Sequence, residues 1–173
     1  FAGMMSEATA RVREVAQGYE PSGDRPLGGY IALLGIYGAL TGASALAVRS
    51  LRRELPARIE PADIALLAVA THKLSRLLTK DPVTSPFRAP LTAFEGQSGP
   101  AEVGERPRRR GFLHAAGELV TCPFCVGQWV ATAFMTGLLL APRLTRVVAA
   151  GMTVVAAADA LNLGYNAAQQ RAG

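Results

Sequence analysis

From Leu27 to Val48 the chain runs for 22 residues without a charged side chain. As an α-helix this stretch is about 33 Å long, at roughly 1.5 Å per residue, against a bilayer hydrocarbon core of about 30 Å. A helix that is apolar on every face gains nothing from water, so the run predicts a membrane-spanning segment rather than the half-polar helix of a soluble domain. Arg49, Arg52, Arg53 and Arg58 follow it. Ala43-Ser44-Ala45 has the small-residue spacing of a signal-peptidase site, but the apolar run exceeds an ordinary signal core, and a retained helix is expected.

Three further segments carry the same signal with less force. Pro61 suits the first turn of a second helix, whose wholly uncharged part, Ile64 to Thr71, is short. Residues 123–141 are free of charge, and an apolar run at 144–164 contains Arg146 and Asp159. Pro142-Arg143 leaves no room between these last two for anything but an antiparallel hairpin. The expected fold is therefore all-α: a compact bundle of three to four transmembrane helices, with spans at about 27–48, 62–79, 123–141 and 144–164. A polar segment, 1–26, precedes it, with Ser6 placed to cap a short surface helix that Gly18 ends and a Pro-Ser-Gly-Asp linker at 21–24. Residues 80–118, with five prolines between 82 and 111 and the block Arg106-Pro107-Arg108-Arg109-Arg110, are expected to form a long irregular basic loop, and 166–173 a tail.

Composition supports lipid as the solvent. Half of the 173 residues are hydrophobic yet only 6% are aromatic, a balance in which Ala, Gly and Leu allow helix backbones to approach closely. Gly38 and Gly42 form a small-xxx-small pair on the first helix, a face for packing within the chain or against a second copy. The net charge of +5 sits between the apolar runs, where it orients the chain and meets anionic lipid head groups; no nucleic-acid motif accompanies it. Placing both termini on the cytoplasmic face of the inner membrane puts 12 Lys and Arg on that side against 6 on the other.

The second helix carries His72, Lys73, Arg76 and Lys80, three of them four residues apart on one face. Such a stripe snorkels to head groups, lines a polar pocket, or marks a helix lying on the surface; a lone charge at the bilayer centre costs about 2.5 kcal/mol or more. Asp159 inside the last span needs a cationic partner, for which Arg76 is the natural candidate. Thr121-Cys122-Pro123-Phe124-Cys125 is the most specific local pattern. Pro123 at a first helical position leaves Cys122 near the N-cap and Cys125 in the first turn, where the helix dipole favours thiolate. Three readings of the pair stand open. A thiol-disulfide exchange centre lacks a second cysteine pair to pass electrons on. A metal site, for zinc or iron, would take Cys122, Cys125 and His114, with Glu118 or His72 as further donors. The third reading is structural, two small polarizable residues tucked where a loop enters the bundle.

Arg76-Leu77-Leu78-Thr79-Lys80-Asp81, Pro86-Phe87-Arg88-Ala89-Pro90, Gly117-Glu118-Leu119 and Cys122-Pro123-Phe124-Cys125-Val126-Gly127-Gln128-Trp129 together give the chain a family likeness. Over about residues 60–165 it resembles the bacterial membrane family called domain of unknown function 1360, which includes the sporulation protein YjcA. The resemblance implies a multi-pass membrane protein and carries no reaction with it. The matching residues suggest a polar cluster of Arg76, Asp81, Arg88, Glu118 and Trp129 beside the two cysteines. No complete catalytic constellation is present. The expected function is a non-catalytic scaffold or accessory subunit, homo-oligomeric or held in a larger membrane complex, with no cofactor. A membrane thiol oxidoreductase or metal-binding protein is the alternative, and an ion or small-solute transporter built around Asp159 a weaker one.

Overall fold

The computed structural model describes residues 25–51 and 54–172, together with positions 7, 10, 11, 14, 15, 18 and 19. Those isolated positions are helical and exposed, Gly18 and Tyr19 included, so helix continues past the glycine expected to end it. The cap at Ser6 and the linker at 21–24 lie outside the described residues. Beyond them the chain is mostly helical: α1 Leu27–Ser50, α2 Pro61–Lys80, a 3-10 turn Pro82–Thr84, α3 Ser85–Arg88, β1 Thr92–Gly99, β2 Glu102–Pro107, α4 Phe112–Thr121, α5 Pro123–Leu140 and α6 Pro142–Ala172. Among the described residues three helices, α1, α5 and α6, are long and apolar enough to cross a membrane. The cationic stripe keeps α2 out of that group.

Two compact units divide the chain, one of residues 1–40 with 79–122, the other of 41–78 with 123–173. In the first, the expected irregular loop is instead a short helix and an antiparallel hairpin, so the chain is not all-α. Within the hairpin, Pro100, Pro107 and scattered glycines break the alternation that marks a strand. They are nonetheless placed where a strand tolerates them. Pro107 ends β2, Gly96 with φ 137° follows a register shift at Phe94, and Pro100-Ala101 makes the turn, Ala101 taking φ 58°. The start of α1 meets α4 at Gly29, where a Cβ would fall 2.9 Å from the Ala115 Cβ and 3.2 Å from the Gly111 carbonyl oxygen. A side chain there would hold the two helices apart.

In the second unit, Leu67 and Ala70 of α2, Val130, Phe134 and Leu138 of α5, and Ala149 of α6 form one apolar core. Only Ala141 separates α5 from α6, and the helices fold back closely enough that a Cβ on Gly137 would meet the Thr145 hydroxyl at 2.7 Å. Between α2 and α6 three contacts keep nearly the same offset along the chain: Asp63 with Arg146, the Leu66 carbonyl with Thr153, and Lys73 with Asp159. A nearly constant offset means that the two helices run parallel, side by side, for about three turns.

Candidate functional site

The first unit contains a guanidinium that is almost wholly enclosed. Arg88, at the end of α3, is 2% exposed, and its side chain is held by the Glu105 carboxylate of β2, itself 6% exposed. The pairing is bidentate, Nε donating to Oε2 at 2.7 Å and Nη2 to Oε1 at 3.1 Å. Nη1 donates to the Thr84 hydroxyl at 2.5 Å, and Nη2 is shared further with the Ser85 hydroxyl and the Asp81 carbonyl, each at 3.1 Å. Ser85 and Thr92 in turn donate to Glu105 at 3.0 and 3.2 Å. Burial by itself would raise the Glu105 carboxyl; the Arg88 guanidinium and the two hydroxyls outweigh it and hold the group below the usual glutamate range. Every polar atom is matched, which is the condition under which a buried ion pair fixes one geometry rather than disrupting it.

Glu118, on α4, has different partners. It accepts a short hydrogen bond from the Tyr30 hydroxyl of α1, and its other oxygen lies 3.7 Å from His114 Nε2 one turn earlier on α4. His114 Nδ1 lies 2.9 Å from the Arg109 carbonyl, so that nitrogen carries the proton. Of the five residues the sequence groups into a polar cluster, Asp81 and Arg88 thus meet through a backbone carbonyl, Glu118 joins Tyr30 and His114, and Arg76 and Trp129 belong to the other unit. Nothing in the residue pattern singles out Glu105 or Tyr30, because their relevance arises only when β2 and α1 are brought alongside α3 and α4.

Cys122 occupies the break between α4 and α5 with extended backbone, φ −104° and ψ 107°, and its N–H donates to the Leu119 carbonyl at 3.3 Å. Cys125 lies exposed in the first turn of α5, one residue after Phe124, which is 90% exposed. Both stand as thiols. Among the described residues no group of three His, Cys, Asp or Glu side chains is assembled for a metal ion. The Arg block at 106–110 is exposed; Arg108 and Arg109 each reach the Pro90 carbonyl, at 3.4 and 3.3 Å, and Arg106 pairs with Glu95 on the hairpin surface.

The second unit places the acid that interrupts the last apolar run. Asp159 Oδ2 lies 2.8 Å from Lys73 Nζ, so the partner the structure supplies is Lys73, one turn before the nominated Arg76. Nearer the helix starts, Arg146 makes a bidentate pair with Asp63 at 2.8 and 2.7 Å. Both charges that interrupt the apolar run of α6 are thereby neutralised by α2. In the same unit an open groove of about 790 Å³ separates the end of α1 from one face of α5. The small residues of α1 face away from packing: beyond the backbone of their own helix, Cβ atoms on Gly35, Gly38 and Gly42 would meet no described atom within 4 Å.

These features define a mostly helical protein with three helices apolar enough for a bilayer, internally compensated charges, and a small hairpin locked by a buried ion pair. The chain belongs to the family described as Protein of unknown function (DUF1360), whose model matches residues 66–165. The matched stretch takes in most of α2, the whole hairpin, the cysteine turn and most of α6. No curated protein and no solved structure matches the chain.

Proposed function

We propose that this protein is a non-catalytic scaffold or accessory subunit of a bacterial inner-membrane assembly, with both termini in the cytoplasm. The observation that carries the reading is the unpartnered surface of α1. Only 6% of its apolar window is buried within the chain, Ile31, Leu34, Ile36, Leu40 and Leu46 are exposed, and the Gly35, Gly38 and Gly42 positions have open space before them. In a bilayer the large side chains are at home against lipid, while a glycine face gains only when another backbone comes close enough for dispersion contact. A second copy or another subunit supplies that backbone.

The parallel course of α2 and α6 supports a four-span topology. With both termini on one side, the second and fourth spans run in the same direction, and a charged second span is tolerable because Lys73 and Asp63 meet Asp159 and Arg146. The exposed basic block at 106–110 then falls on the cytoplasmic side, where anionic head groups attract it. The test is the oligomeric state of the full chain in mild detergent, by sedimentation and in-membrane cross-linking. Wild type is expected to self-associate or to retain a stoichiometric membrane partner, and Gly38→Leu with Gly42→Leu to release it. A monomer that copurifies with no other protein, unaltered by those substitutions, would overturn the reading.

A further inference from the structure

The groove beside α5 has the makings of a ligand site that the scaffold role does not use. One face of α1 and one face of α5 line it, with positions spaced three and four apart on each helix. Val48 and Leu55 contribute apolar surface from the α1 side, and Ala131, Met135 and Leu139 from α5. Its volume of about 790 Å³ lies within the roughly 300–1,000 Å³ of small-molecule sites. A second helix, about 10 Å across and 30 Å long for 20 residues, would not fit into it.

Two polar features show what the apolar walls accompany. Thr41 lines the groove, and its hydroxyl oxygen, enclosed behind that wall, is the one buried side-chain polar atom without a hydrogen-bond partner among the described residues. Arg49, in the last turn of α1, lines the same groove, and among the described residues no carboxylate pairs with it. A cation bordering an apolar trough asks for an anion attached to something oily. Nothing in this chain's own apolar helices meets that need: α1 and α5 carry no acid, and Asp159, the acid inside α6, is already held by Lys73. Charge complementarity therefore favours an amphiphile over a second copy.

We propose that the α1–α5 groove binds an amphiphile with a long apolar chain and an anionic head group, the chain lying against Ala131, Met135 and Leu139 and the head group held by Arg49. A bilayer phospholipid and a free fatty acid share this chemistry.

The experiment uses the full chain, purified in a neutral detergent and titrated under native mass spectrometry. Four probes separate the sources: dioleoyl phosphatidylglycerol against dioleoyl phosphatidylcholine, and oleate against oleyl alcohol. At least one anionic probe is expected to bind one site about tenfold more tightly than its uncharged or zwitterionic counterpart, the scale of a charge-assisted contact. Arg49→Gln reduces that preference to less than about twofold and Arg49→Lys restores part of it, as expected for loss and partial return of the same contact. Ala131→Leu, which fills the trough, weakens every probe. Arg49 is exposed, so its variants test the idea even if Ala131→Leu fails to fold. Equal binding of charged and uncharged probes, a preference that survives Arg49→Gln, or a dimer mass in which copies exclude all four probes would each overturn the proposal.

Discussion

Replacing Glu105 by Gln keeps the size of the side chain and removes only its charge, yet it is expected to open the hairpin. Arg88 is 2% exposed and Glu105 6% exposed, so water does not reach in to solvate a guanidinium whose counter-ion has gone. The amide also turns one acceptor into a donor, aimed at Nε or Nη2 of Arg88. Removing one partner of a buried pair typically costs about 3–5 kcal/mol. The lower end applies here because Thr84, Ser85 and the Asp81 carbonyl go on accepting from the guanidinium. About 3 kcal/mol corresponds to a rise of roughly 150-fold in the population of the open hairpin. Hydrogen exchange read by mass spectrometry on peptides covering 92–107, in the full chain in detergent, measures that population. Loss of protection is expected there and not in the α5–α6 hairpin. A double replacement, Arg88→Met with Glu105→Leu, should recover most of it, since apolar residues of similar volume leave no charge stranded. If Glu105→Gln leaves exchange at 92–107 within about twofold of wild type, the buried pair is not what holds the hairpin.

The same pair sets a pH dependence. Glu105 titrates lower in the folded chain than its ordinary value of 4.5, so its stabilisation is present above that pH and fades as pH falls through the depressed folded value. Hairpin protection, corrected for intrinsic exchange, should be flat from neutral pH to about 5 and then fall, with Glu105→Gln flattening the profile. At the α1–α4 crossing, Gly29→Ala brings a Cβ to 2.9 Å from Ala115 whereas Gly28→Ala meets nothing; thermal unfolding should show a loss of about 1–3 kcal/mol for the first and little change for the second. Asp63→Asn removes a pair whose Arg146 side is half exposed, so only a small fall in melting temperature is expected. Cys125 is exposed and Cys122 half-buried, and a maleimide should label Cys125 first, as peptide mapping of partly modified protein will show.

The residue pattern alone announced the long apolar helices, because a run such as Leu27 to Val48 has one way to satisfy its backbone without water and needs no distant partner to do so. It also announced the tight α5–α6 turn at Pro142 and the position of Cys122 and Cys125 around a helix start, since proline chemistry acts within a few residues. What it misjudged depends on contacts distant in the chain. The Pro- and Gly-rich stretch after α2 reads as loop until Glu105 is brought beneath Arg88, 17 residues away. Tyr30 reaches Glu118 across 88 residues, and Lys73 reaches Asp159 across a similar span. Local pattern fixes a helix through hydrogen bonds four residues apart, whereas the pairing of buried charges is settled by which elements pack together, and only the tertiary structure decides that.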